Sequence, residues 1–195
     1  MKVSLFFVSV FLMLSLSCWA QEDNRHEITL QGSGFIGKTT NSSGIQNQTT
    51  NSGGFLAGYR FNVNKWIAAE ADYDFFSNSQ KYVTSSGNFR TQTYTHGITG
   101  AGVLKLPAFH GVNTFVLAGG GAMVFDPRKT AGIQSQTRGA FVYGGGADVP
   151  LMKHVALRAQ YRGFVYKAPD FNVNQLKADK FTHVAVPSAG FVFKF

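Results

Sequence analysis

Thiols are all but missing from this 195-residue chain: Cys18 is the one cysteine, and it lies near the N-terminus. A disulfide framework and a cysteine-ligated metal centre are therefore excluded. Charge is sparse too, at 14 %, although the balance is basic, with a formal net charge of +8. Only one apolar run is long, Val3 to Leu14, and no second one could cross a membrane as a helix. No stretch carries a helical period with caps. What is abundant is glycine (22) and phenylalanine (19). That composition suits either a soluble sandwich or a membrane barrel, so the strand patterns must decide.

The N-terminus reads as an export signal. Lys2 is a small positive leader, Val3 to Leu14 an apolar core, and Cys18-Trp19-Ala20 approximates a small-x-small cleavage site before Gln21-Glu22-Asp23. The apolar run falls short of the roughly 20 residues a membrane helix needs. Lipidation of Cys18 is disfavoured by the preceding Ser15-Leu16-Ser17. The expected division is a signal peptide over 1–20 and a single domain over 21–195.

Eight segments carry strand composition or period-two alternation: 26–38, 53–63, 66–77, 91–106, 113–125, 137–149, 154–167 and 180–195. The links between them run long, short, long, short, long, short, long. Polar Thr39 to Ser52 and Asn78 to Arg90 are long, whereas Asn64-Lys65 is little more than a turn. Short turns at one end and long loops at the other mark an antiparallel barrel in an outer membrane, with both chain ends on the short-turn side.

The faces agree. In the third segment Ile67, Ala69, Ala71, Tyr73 and Phe75 share one face and Glu70, Asp72 and Asp74 the other. In the seventh, Val155, Leu157, Ala159, Tyr161 and Val165 oppose His154, Arg158, Gln160 and Arg162. The second sets Phe55, Ala57, Tyr59 and Phe61 against Arg60. Three unpaired carboxylates in a soluble core would cost several kcal/mol each, on the order of the penalty for buried charge. In a barrel lumen beside arginines from other strands they are acceptable, so the polar faces are expected inside and the apolar ones toward lipid. The fourth segment leaves both faces open, with Tyr94, Ile98, Leu104 and Leu106 the better outward set.

The terminal SAGFVFKF, the EADYDFF and LRAQYRGF strands and the loop order resemble the small eight-stranded outer-membrane barrels, the OmpA-like and OmpX/Ail-like group, over essentially the whole of 21–195. The resemblance implies an all-β, transmembrane, antiparallel up-and-down barrel without a peptidoglycan-binding domain. It also implies that Phe191, Phe193 and Phe195 form the C-terminal signal read by the outer-membrane assembly machinery.

Gly32 to Thr39 satisfies G-x-x-x-x-G-K-[ST], but the phosphate cradle needs a helix next. Thr40 to Gly54 (TNSSGIQNQTTNSGG) cannot start one, so no nucleotide is expected. The charged set Arg60, Glu70, Asp72, Asp74, Arg158 and Arg162, with Lys105, Asp148 and Lys194 near the short-turn end, reads as a plug of the narrow interior. An ion pathway or gate is the alternative. His183 and Ser188 fall on opposite faces of the last strand and cannot form a local acyl-hydrolase pair. The histidines His26, His96, His110, His154 and His183 show no metal-ligand spacing.

The expected function is thus a non-enzymatic barrel with a structural or surface-interaction role through four long loops, needing no cofactor. A narrow pore for small solutes is the alternative, and a lipid-A-modifying enzyme the next. Expected partners are outer-membrane lipid and lipopolysaccharide, the assembly machinery and host or matrix surfaces, with no nucleic acid. Basic loop residues (Lys81, Arg90, Arg128, Lys129, Lys167, Lys177, Lys180) suit anionic ligands.

Overall fold

The computed structural model describes residues 25–37, 40–42, 45–49, 51–84, 87–127, 135–167 and 181–195. The expected signal peptide lies outside them. Among the described residues ten strands follow in order: β1 (His26–Gly37), β2 (Thr40–Ser42), β3 (Ile45–Thr49), β4 (Ser52–Asn62), β5 (Ile67–Thr84), β6 (Gly87–Lys105), β7 (Asn113–Pro127), β8 (Gln136–Met152), β9 (Val155–Lys167) and β10 (Phe181–Lys194). Eight of them, β1 and β4 to β10, pair antiparallel with their neighbours and close on themselves, because β1 joins both β4 and β10. Closure leaves the spanning sheet no unpaired edge, the condition for crossing lipid with strands.

Alternation is kept around the wall. Ile28, Leu30, Tyr59, Ile67, Ile98 and Phe191 are exposed, while Thr29, Gln31, Arg60, Glu70, Thr99 and Arg162 are buried in the lumen. In β6 the outward set is Tyr94, Ile98 and Leu104, with Thr93, Thr95 and Thr99 inside. The seam is held by Glu27↔Lys194 through Gly37↔Val184. That ladder lacks the pairs for Gly34 and Phe35, opposite Pro187 and Val186. Proline has no N–H to give, which explains a gap in an otherwise continuous register.

Two links differ from expectation. Residues 78–84 and 87–90 are strand rather than loop, because β5 runs to Thr84 and β6 starts at Gly87, the two paired from end to end. Within 39–52, β2 and β3 form a hairpin whose second strand pairs with β5, from Gln46↔Val83 to Thr49↔Gln80. Strands of 18 and 19 residues exceed the roughly 9–11 that a tilted strand needs to cross a bilayer. The excess stands beyond the wall at the long-loop end as a four-stranded sheet, β2-β3-β5-β6. At the short-turn end His154 sits in the turn before β9 rather than in the strand.

Candidate functional site

The lumen holds the expected charged residues in one connected group. Alternation along β5 aims Glu70, Asp72 and Asp74 inward at rising heights, β9 supplies Arg158 and Arg162, and β4 supplies Arg60. Glu70 is the hub. Its Oε2 accepts from Arg60 Nε at 2.5 Å, its Oε1 accepts from Arg162 Nη2 at 2.5 Å, and Arg158 Nη1 lies 3.6 Å away. Arg162 also donates to Asp72 and stands 3.7 Å from Asp74. Arg158 grips Asp148 with two nitrogens, at 2.6 and 2.7 Å. Such forked, charge-assisted bonds fix orientation as well as energy.

Glu27 also belongs to the group, and its part was not foreseen. Its carboxylate lies 3.0 Å from Arg158, 3.8 Å from Arg60 and 3.6 Å from Lys105, and accepts from Asn62 at 2.9 Å. The signal for it was available: Glu27, Thr29, Gln31 and Ser33 alternate with Ile28 and Leu30 in β1. Phe115 is a second addition. The guanidinium carbons of Arg60 and Arg158 lie 4.1 and 4.9 Å from its ring centroid, a cation–π contact that orders both arginines.

Above the charges, toward the long-loop end, the interior turns apolar. Phe35 packs on Phe76 with ring centroids 5.0 Å apart, and Phe125 on Tyr166 at 5.5 Å. Met123, Val142, Phe164, Val184 and Val186 fill in around them, all buried. The lumen is therefore filled by side chains in two layers, one charged and one aromatic.

Other candidates are placed apart. His183 faces outward and bonds Tyr143 at 2.8 Å, while Ser188 is buried inside. His26 pairs with Tyr59 at 2.6 Å and His96 with Tyr73 at 2.7 Å, also on the outer wall. Rings with a polar tip are at home at membrane interfaces. Among the described residues no three histidine, cysteine or acidic side chains converge as a metal site. Gly32 to Gly37 is strand, with Gly32 and Ser33 paired on both sides and the other four on one, so the segment is barrel wall rather than a phosphate cradle. Lys38 and Thr39 of that motif, and the basic loop residues Arg128, Lys129, Lys177 and Lys180, lie outside the described residues. Phe191, Phe193 and Phe195 are exposed on the outer face of the closing strand. Phe195 exchanges two backbone hydrogen bonds with His26, at 2.8 and 3.2 Å.

Residues 6–186 match the family model described as outer membrane protein beta-barrel domain. Among solved structures the chain is similar to Neisserial surface protein A, with a TM-score of 0.65, 14 % identity, and coverage of 87 % of this chain and 97 % of that one. It is similar to OprG of Pseudomonas aeruginosa, with a TM-score of 0.63, 12 % identity, and coverage of 87 % and 95 %. It is also similar to Ail, the attachment invasion locus protein of Yersinia pestis, in complex with the heparin analogue sucrose octasulfate. There the TM-score is 0.50, the identity 15 %, and the coverage 86 % and 97 %. At these identities the likeness is one of fold. No curated protein matches the chain significantly.

Proposed function

The chain belongs to the outer membrane β-barrel domain family and resides in the bacterial outer membrane, and from that premise we propose that it is a non-enzymatic surface-interaction protein whose ligand is a polyanion. The observation that carries this reading is the contrast between a filled lumen and a sheet that projects beyond the wall. Charged and aromatic side chains packed across the lumen disfavour a conduit, whereas β2-β3-β5-β6 offers a hydrogen-bonded sheet beyond the wall. On that sheet Lys81 and Arg90 are direct cross-strand partners. Like charges directly opposite destabilise a sheet, and an anion bound at that position would remove the penalty.

Sucrose octasulfate is the first probe, since Ail, of similar fold, has been seen with it. Purified protein should bind it with an affinity that falls steeply with salt. Lys81→Gln with Arg90→Gln should weaken binding about tenfold, as expected for the loss of two ionic contacts of roughly 0.5–1 kcal/mol each. Equal affinity in the double variant would sink the reading. Steady single-channel currents from the purified barrel would instead favour a pore, and hydrolysis of lipid A an enzyme.

Phe191, Phe193 and Phe195 serve, on the same reading, as the signal to the assembly machinery. Phe195→Ser should lower the heat-modifiable band in outer-membrane fractions while leaving detergent refolding of the purified chain intact. Normal levels in the membrane would remove Phe195 from that role.

A further inference from the structure

A groove of about 300 Å³ opens on the lipid-facing wall at the periplasmic end of β5, β6 and β7. Ile67, Leu104 and Val116 form its sides, and Gly102 and Ala118 keep its floor low. Ile67 and Leu104 are register partners, as are Leu104 and Val116, and Gly102 and Ala118, so the groove is a continuous feature of three strands. Directly below it, the β4–β5 turn carries Lys65 and Trp66, both exposed. That turn is held rigidly: the Asn64 side-chain oxygen accepts from the backbone N–H of Trp66 and of Ile67, each at 2.8 Å. Lys65 Nζ stands 5.6 Å from the Trp66 ring centroid, and Lys105 donates its backbone N–H to the Trp66 carbonyl at 2.7 Å. The neighbouring β6–β7 turn projects Phe109, which is 71 % exposed, through a tight hairpin with His110 and Gly111 at φ 49° and 79°.

The charge around this end is one-sided. Among the described residues every acidic side chain except Asp126 is buried in the lumen. Asp126 is at the opposite end of β7. Among the described residues, the exposed face at the periplasmic turns therefore presents Arg25, Lys65 and Lys153 with no acidic side chain beside them. A fixed cation beside an interfacial tryptophan, below an apolar groove, is complementary to an anionic phospholipid.

We infer that this is a binding site for an anionic glycerophospholipid of the periplasmic leaflet, with one acyl chain along the β5–β7 groove and the headgroup phosphate on Lys65. The inference rests on membrane orientation alone and is independent of the ligand proposed for the projecting sheet. Lys65 supplies the charge that selects the headgroup. The small side chains at 102 and 118 give the acyl chain a track that larger residues would fill. Trp66 and Phe109 flank the site at the depth where the glycerol backbone lies.

Native mass spectrometry of the detergent-purified, folded protein tests it, using dioleoylphosphatidylglycerol and dioleoylphosphatidylcholine as probes. The unmodified protein should retain phosphatidylglycerol in preference to phosphatidylcholine. Lys65→Gln should lower phosphatidylglycerol affinity about fivefold, the worth of one basic side chain near a membrane surface, and leave phosphatidylcholine unchanged. Ala118→Phe, which fills the groove on a lipid-exposed face, should lower retention of both. Lys153→Gln, on the β8–β9 turn, should change neither. Heat modifiability confirms that each variant is folded. No preference in the unmodified protein, an unchanged Lys65→Gln or Ala118→Phe, an equal loss in Lys153→Gln, or preferential retention of lipid A would each overturn the site.

Discussion

Glu70→Gln should destabilise the barrel by about 3–5 kcal/mol, the range for breaking a buried ion pair from one side, whereas Asp74→Asn should leave stability unchanged or raise it. The two carboxylates sit four residues apart on one strand, both buried, yet their surroundings have opposite signs. Glu70 answers three guanidiniums, two of them at 2.5 Å. Removing its charge strands arginines that cannot reach water. Among the described residues Asp74 has only Arg162, at 3.7 Å, and neither of its oxygens accepts a hydrogen bond from them. It competes with Asp72 for that same arginine, so neutralising it relieves a repulsion and strands little. Reversible urea unfolding in lipid vesicles, followed by gel mobility without boiling, measures both. Equal effects would mean that the lumen behaves as a solvated, screened interior rather than as a set of specific pairs. In a double-variant cycle, Glu70→Gln and Arg162→Gln should be strongly non-additive.

Gly119→Ala should be nearly as damaging, at the upper end of the roughly 1–3 kcal/mol that overpacking costs, while its neighbour Gly120→Ala should be neutral or slightly stabilising. A Cβ at 119 would lie 2.0 Å from the Gly100 carbonyl oxygen and 2.6 Å from the Ala101 Cα. Both are backbone atoms of β6, and moving them would open the β6–β7 ladder. A Cβ at 120 meets nothing closer than the Ala140 oxygen, at 3.4 Å. Reduced freedom of the unfolded chain then works in its favour, by about 0.4–1 kcal/mol. Comparing the two in the same unfolding assay isolates close approach from any general effect of losing glycine. Similar stability for both variants would show that the tight spacing at Gly119 is not required.

Much of this architecture is legible in the chain because lipid and lumen impose opposite demands on alternate residues. Ile67-Ala68-Ala69-Glu70-Ala71-Asp72 states its two faces plainly, and so does Leu157-Arg158-Ala159-Gln160. The tips of β5 and β6 are not legible. From Asn78 to Gln92 the sequence is largely polar at both alternate sets of positions, so no alternation marks the strands, and pairing there is inherited from the wall below. Glu27 falls in a strand whose other inward residues, Thr29, Gln31, Ser33 and Phe35, carry no charge, and a lone charge reads as surface. Membership of the charged group follows from facing direction, but its wiring does not. Glu70 and Arg162 are separated by 92 residues and belong to strands that are not neighbours, so only the curvature of the closed wall brings them together. The aromatic upper layer is hidden for a similar reason. Phe35 and Phe76 alternate with residues as apolar as themselves, such as Ile36 and Phe75.

The cross-lumen ion pairs have a consequence for how the last seam closes. When β10 meets β1, a slip of one residue would turn every lumen side chain of β1 toward lipid, and the hydrophobic pattern alone would reject it. A slip of two residues keeps each face correct and passes that test unnoticed. It would, however, carry Glu27 roughly 7 Å along the strand, at about 3.4 Å per residue, away from an Arg158 that Asp148 holds in place on the other side. Odd errors are thus refused by the membrane and even ones by the arginines, so that between them a single closure is admitted.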